Sequence, residues 1–299
     1  HVVFDTCDER ARAHGLRVTG SELVGLVPRA ALVAAGRHYL ARMGRSTGVP
    51  EKALIHVAVR TLGLSEVKPF DPRAAIIEAR LGTPAPLVAM TLAGFADELS
   101  SDSPAPGGGS VAAYAGALAA GLAGMVANLS HPKRGFESKQ PALERIAVRG
   151  QELKDRLLAA VDADTAAFDE FLAAMRMAKE SAQERALRDA AMIVATIATI
   201  EVPLATLEAC PEIVELCLEI GEIGLQASLS DAGTGAAMAR AAASGAFQNV
   251  CINLPGLADR GVAAALLKRA DGAWARTREL AARAESKFVD GLRAGAGRS

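Results

Sequence analysis

Apolar positions recur at three- and four-residue intervals through most of this chain, and beyond residue 91 no run alternates long enough between apolar and polar to read as a strand. The periodicity predicts helices at 91–101, 109–131, 139–178, 182–209, 211–223, 231–253 and 258–293. Their connections are short or marked by Gly and Pro, which fits an up-and-down helical bundle. Residues 1–80 mix signals. A short alternating run in 16–28 ends in GLVP, and Pro28 suits the first turn of a helix reaching about residue 43. A second helix fits 51–62. Residues 67–70 read as extended chain, followed by a helix with Asp71 as N-cap and Pro72 at its first position. The expected architecture is therefore mainly all-α, a helical bundle over 91–299 preceded by a small α+β fragment over 1–80. Residues 81–90 (LGTPAPLVAM), uncharged with two Pro and a Gly, read as a linker. The last residues, GLRAGAGRS, are expected to fray.

Composition narrows the function classes. Hydrophobic residues make up 51% of the 299 and charged ones 22%, which excludes disorder for most of the chain. The net charge of −1 argues against nucleic acid or an anionic membrane as partner, since both call for a basic surplus. Aromatics at 4% leave too few rings for a base-stacking platform. The four Cys form no C-x-x-C pair, and with five scattered His they give neither a metal spacing nor a disulfide framework, so a reducing, cytoplasmic setting is expected. Residues 1–10 carry no signal-peptide pattern and read like the interior of a longer sequence. Residues 103–132 contain no Asp, Glu, Lys or Arg, but 111–127 is mostly Ala and Gly, which suits a buried core helix better than a membrane span.

Three features carry candidate chemistry. PAPGGGS (104–110) runs directly into the uncharged helix. Gly107, Gly108 and Gly109 let the backbone approach a ligand, and the helix N-terminus adds partial positive charge, so the loop with Ser110 either holds a polar group or simply precedes a tightly packed helix. No Lys follows as in a phosphate-binding loop, and Ser110 has no visible His and Asp partners for a nucleophilic triad. Two small-residue stripes at a spacing of four come next: Ala112, Gly116, Ala120, Gly124, Asn128, and Ala237, Ala241, Gly245, Asn249, Asn253. Each ends in Asn, and those amides either tie helices together or face a ligand. The third feature is VDADTAAF (161–168). At about 100° per residue, Asp164 falls on the apolar face made by Leu157, Val161, Phe168, Leu172 and Met175, whereas Asp162 falls opposite with Asp155 and Asp169. A carboxyl among apolar neighbours should titrate high, which suits proton transfer near neutral pH. Lys133 and Arg134 form a basic pair at a helix end that either meets carboxylates or caps carbonyls.

SDSPAPGGGSVAAYAGAL (101–118), VDADTAAF and GAFQNVCINL (245–254) resemble the formimidoyltetrahydrofolate cyclodeaminase family. TGSELVGLVP (19–28) and LGL…KPFDPRAAIIEARL (62–81) resemble the C-terminal subdomain of glutamate formimidoyltransferase, in the order of the bifunctional formimidoyltransferase–cyclodeaminase family. The resemblance implies a helical, dimerising domain that converts 5-formimidoyltetrahydrofolate to 5,10-methenyltetrahydrofolate and ammonia. It implies Asp164 as acid and base, with the 107–110 loop lining the pocket. For that reaction, Asn249, Asn253 or Asn128 is a candidate to hold the pterin or the amidine nitrogen, and Lys133 and Arg134 are candidates to meet the glutamate carboxylates. Glu22 matches a folate-contacting position where many relatives carry Gln. The implied partner is tetrahydrofolate, with or without a polyglutamate tail, in a homodimer or larger homo-oligomer; no metal or redox cofactor is implied. The transferase N-terminal subdomain and its catalytic His have no counterpart here, so residues 1–80 are not expected to transfer formimidoyl groups unless that half is supplied elsewhere. A methenyltetrahydrofolate cyclohydrolase on the same fold, and a silent folate-binding dimerisation module, are the alternatives.

Overall fold

The computed structural model describes residues 1–81 and 87–296. Half of the expected linker, 82–86, and the last three residues of the tail lie outside the described residues. The chain divides into two compact units, 1–84 with 128–148 and 85–127 with 149–299.

The first unit holds α1 (Val2–Ala13), α2 (Arg29–Arg42), α3 (Glu51–Thr61), α4 (Pro72–Ala75) and α5 (Ile77–Leu81). Pro28 stands at the N-cap of α2 with extended backbone, one residue before the position expected for it. Asp71 caps α4 as expected, its carboxylate accepting from the Arg73 N–H at 2.9 Å. The β part shrinks to one isolated parallel bridge, Val27 with Ile76, among the described residues. The Val27 N–H donates to the Ala75 carbonyl and the Ile77 N–H donates to the Val27 carbonyl, and helical turns on either side of Ile76 leave no further residue extended to lengthen it. The helix α1, where no periodic pattern stood out, is held by one carboxylate: Asp5 accepts from Tyr39 at 3.1 Å and Arg42 at 3.3 Å and lies 2.9 Å from His38. Leu32, Ala35, Tyr39, Ala58, Leu62 and Ile76 form the core.

The second unit contains α6 (Leu92–Leu99), α7 (Gly108–Ser130), α8 (Gln140–Met175), α9 (Ala182–Ile223), α10 (Leu229–Asn253) and α11 (Arg260–Ala296); the last residues of α7 and the first turns of α8 belong to the first unit. The break expected at 210 is absent, and α9 runs unbroken through Pro203 and Pro211. A proline inside a helix removes the N–H that would reach the carbonyl four residues back. For Pro203 that carbonyl is Thr199's, and the Asn253 side chain donates to it at 2.9 Å. Burial of Leu204, Leu207, Cys210, Ile213 and Val214 against neighbouring helices then outweighs the local cost of both prolines. The tail expected to fray is helical as far as Ala296.

Small residues set the helix spacing. A Cβ on Gly150 of α8 would stand 2.9 Å from the Ala120 carbonyl and 3.1 Å from Gly124 Cα on α7. The α7 stripe is used as expected, with Ala112, Gly116, Ala120 and Gly124 all buried. The α10 stripe is not: Ala237 and Ala241 are exposed, and the packed face carries Gly235, Ala239, Ala242, Ala243 and Ala246. Arg269 bridges Glu201 and Glu208, Arg276 meets Glu215 and Lys287 meets Glu222, so α11 runs parallel to α9 with α10 packed on both. These exposed pairs align the helices more than they stabilise them. By length and composition α7 and α9 are each apolar enough to cross a membrane, with 61% and 39% of the relevant window buried within the protein.

Candidate active site

The first turn of α7 meets the middle of α8 at Asp164, and the glycines make that approach possible. A Cβ on Gly109 would lie 2.0 Å from Asp164 Oδ1 and 2.5 Å from its Cγ, so only a hydrogen fits. The next residue, Ser110, is fully buried. Its Oγ stands 3.0 Å from Asp164 Oδ2, 3.1 Å from the Val161 carbonyl and 3.4 Å from Thr165 Oγ1. The Ser110 backbone N–H also donates to the carboxylate, which thereby caps the N-terminus of α7.

Burial pushes the Asp164 carboxyl up from its ordinary value, and the side-chain and backbone hydrogen bonds from Ser110 pull it partly back. Leu157 and Val161 are buried on the face that carries Asp164, Phe168 and Leu172 are half-buried, and Met175 is exposed at the helix end. Ser110 therefore acts on the carboxylate; it does not line an open pocket. Removing its hydroxyl removes a contact that favours the ionised form, so Ser110→Ala should raise the Asp164 pKa further. If ionised Asp164 is the working base, the acidic limb of the pH–kcat profile moves to higher pH in S110A. A limb that stays put or moves down would contradict that role.

The other expected residues fall into two groups. Gly108 opens α7 beside Asn249, whose Nδ2 would be 3.1 Å from a Cβ on Gly108 and donates to the Gly245 carbonyl at 2.8 Å, while a Cβ on the preceding Gly107 meets nothing within 4 Å. Asn249 is thus brought to the glycine loop. Asn253 is committed to Thr199 and serves the fold. Asn253→Ala should cost about 1–2 kcal/mol, read as a lower Tm, because the carbonyl left by Pro203 loses its donor, while turnover is retained. Asn128, Lys133, Arg134 and Glu22 belong to the first unit. There Asn128 donates to the Gly48 carbonyl at 2.7 Å, its Oδ1 buried without a partner among the described residues. Lys133 and Arg134 are exposed in the turn after α7, and Glu22 is exposed and paired with Lys68.

Asp162 departs from expectation. It is half-buried, not on an open face, because residue 87 covers it: its Oδ1 accepts from the Leu87 N–H at 2.9 Å and its Oδ2 is buried with no partner among the described residues. One group with metal-ligating chemistry, His1, Asp5 and His38, comes together in the first unit, where Asp5 is already shared with Tyr39 and Arg42. Spacing along the chain does not reveal it. Thr165 beside Ser110 is a further site contact that the sequence pattern did not single out.

Comparison with known proteins bears on this arrangement. The profile of the family described as Formiminotransferase-cyclodeaminase matches residues 91–272, and that of the Formiminotransferase domain matches 1–82. The formimidoyltransferase-cyclodeaminases of Gallus gallus and Mus musculus are 35% and 34% identical over 87% of this chain and 48% of their own length. The chain therefore spans about half the length of these relatives. A methenyltetrahydrofolate cyclohydrolase of Methylorubrum extorquens is 34% identical over 61% of this chain and 88% of its own. The crystal structure of formiminotetrahydrofolate cyclodeaminase from Thermotoga maritima superposes with a TM-score of 0.61 at 26% identity, covering 68% of this chain and 98% of the other.

Proposed function

Because the chain belongs to the formiminotransferase-cyclodeaminase family, we propose that it converts 5-formimidoyltetrahydrofolate to 5,10-methenyltetrahydrofolate and ammonia, with Asp164 moving the proton. The observation that carries this reading is a carboxyl of raised pKa held against the helix start that follows three glycines. The amidine enters protonated; N10 attacks its carbon, which is attached to N5, the C=N electron pair moves onto the outer nitrogen to leave it as NH2, and the new C–N bond closes the five-membered ring. Asp164, ionised, takes the proton from N10. The bond from that carbon to the amidine nitrogen then breaks, and Asp164 returns the proton to the departing nitrogen, which leaves as ammonia. One carboxyl serves as base and then as acid, so its pKa is best placed near the working pH. The reaction balances without a metal or a redox partner. Holding N10 against the amidine carbon supplies an orientation term, and Asn249, at the glycine loop, is placed to orient the substrate. The reading assigns no formimidoyl transfer to residues 1–82.

The direct test is to incubate the full chain with 5-formimidoyltetrahydrofolate and follow ammonia together with methenyltetrahydrofolate absorbance. Equal amounts of both support the reading; neither product overturns it. The likeness to a cyclohydrolase favours one second reading, hydrolysis of 5,10-methenyltetrahydrofolate. Transferase-type sequence at 1–82 supports the deaminase instead, since it is the formimidoyl group that such a partner domain delivers. Loss of the methenyl absorbance, with no ammonia from the formimidoyl substrate, would select the hydrolase. We also take the working form to be a homodimer; Met175, Met177, Leu187, Ile193 and Val194 leave an apolar surface exposed around the start of α9.

A further inference from the structure

A cavity of about 670 Å³ lies along α7 and α8 in the second unit, walled by the segment from Leu87 to Phe95. Its lining is mostly apolar, with hydroxyls from Thr91, Tyr114 and Thr234, and Lys154 is the one charged side chain there among the described residues. Val161 and Tyr114 line it, and each sits one turn along its helix from the reacting pair, Val161 before Asp164 and Tyr114 after Ser110. The cavity therefore comes within one turn of the proposed proton carrier and includes Lys154 in its wall. Ten residues separate Lys154 from Asp164, a rise of about 15 Å along α8. Phe95 and Tyr114 present rings 5.7 Å apart, tilted by 55°. The Asp162 carboxylate, by accepting the Leu87 N–H, pins the start of that wall. Lys154 is mostly covered, and its Nζ lies 2.8 Å from the exposed Asp155 carboxylate, a pair that an incoming carboxylate would compete with.

Mostly apolar walls, two rings and a single cation about 15 Å along α8 from Asp164 match a ligand arm with an aromatic middle and an anionic end. Resting on the function proposed above, we infer that this cavity receives the aminobenzoyl-glutamate arm of the folate substrate, its ring beside Phe95 and Tyr114 and its carboxylates on Lys154. The charge contact is then made inside the second unit, on the same helix as Asp164.

Two variants of the full chain test this. Lys154→Met keeps the straight stem and removes the charge. Gly121→Leu fills the cavity, because Gly121 lines it and a Cβ there meets nothing within 4 Å. The probes are 5-formimidoyltetrahydrofolate for kinetics and p-aminobenzoylglutamate for titration calorimetry. K154M should raise KM about tenfold with kcat unchanged, the usual size of a lost charge-assisted contact. p-Aminobenzoylglutamate should bind the wild type and bind both variants more weakly. Unchanged KM and unchanged p-aminobenzoylglutamate binding in both variants would overturn the inference, as would a fall in kcat at constant KM in K154M. Failure of the proposed reaction shows separately, as a wild type that releases no ammonia, and the calorimetry still decides where the arm binds.

Discussion

Asp164→Asn is expected to lower kcat for ammonia release by about 10²-fold or more, the usual contribution of a positioned acid or base. Asn is nearly isosteric and still accepts from the Ser110 N–H, so the α7–α8 contact survives while proton transfer is lost. Stability should move the other way. A carboxyl whose pKa is raised by burial binds its proton more tightly in the folded chain than in the unfolded one. Stability therefore falls as pH rises through the interval between the unfolded and the folded pKa, and the deficit persists at neutral pH. Asn never ionises, so D164N should melt at or above the wild-type Tm at neutral pH, and that difference should vanish on acidification. A variant both inactive and markedly less stable would mean that Asp164 serves the fold and that its loss says nothing about chemistry. Full activity would remove it from the mechanism.

Gly109→Ala is expected to do comparable damage without touching a titratable group. Its methyl would lie 2.0 Å from Asp164 Oδ1, a distance no carbon and oxygen tolerate, so the carboxylate has to leave the helix start or α7 has to retreat from α8. Displacing a reacting group by about 1 Å commonly costs about 10²-fold. The control lies two residues earlier. A Cβ on Gly107 meets nothing within 4 Å, so Gly107→Ala should keep nearly full turnover. Equal losses in both variants would point to general loosening of the loop and away from the Gly109–Asp164 contact. Circular dichroism and Tm on the same samples separate misfolding from misplacement.

Local signals made much of this legible in the sequence. The 3.6-residue periodicity placed the long helices, and the same wheel put Asp164 on the apolar side of α8, where the structure has it beside buried Leu157 and Val161. The capping at Asp71 was readable because N-cap chemistry is contained in three adjacent residues. What failed depends on partners distant in sequence. A wheel tells which side of a helix a residue takes but not what covers that side, and so Asp162, opposite Asp164, lies under residue 87, 75 positions away. Ser110 reads as a loop residue beside glycines, yet its role follows from Asp164, 54 positions on. Pro211 reads as a helix start by local rules, and tertiary packing carries α9 through it. Asn253 reads as a ligand group until the carbonyl left without a donor by Pro203 is found beside it. Lys154 gave no signal, because one lysine on a long amphipathic helix is ordinary until a cavity is seen to be lined by it.

The central claim is that a carboxyl driven above its ordinary range carries the proton between two nitrogens. The pH dependence of kcat for the wild-type chain, with ammonia as the readout, tests it most directly. The account predicts an acidic limb whose apparent pKa lies clearly above the usual aspartate value of about 4 and which disappears in the residual activity of D164N. A wild-type rate that stays flat down to the ordinary carboxylate range, or a limb that persists in D164N, would contradict it.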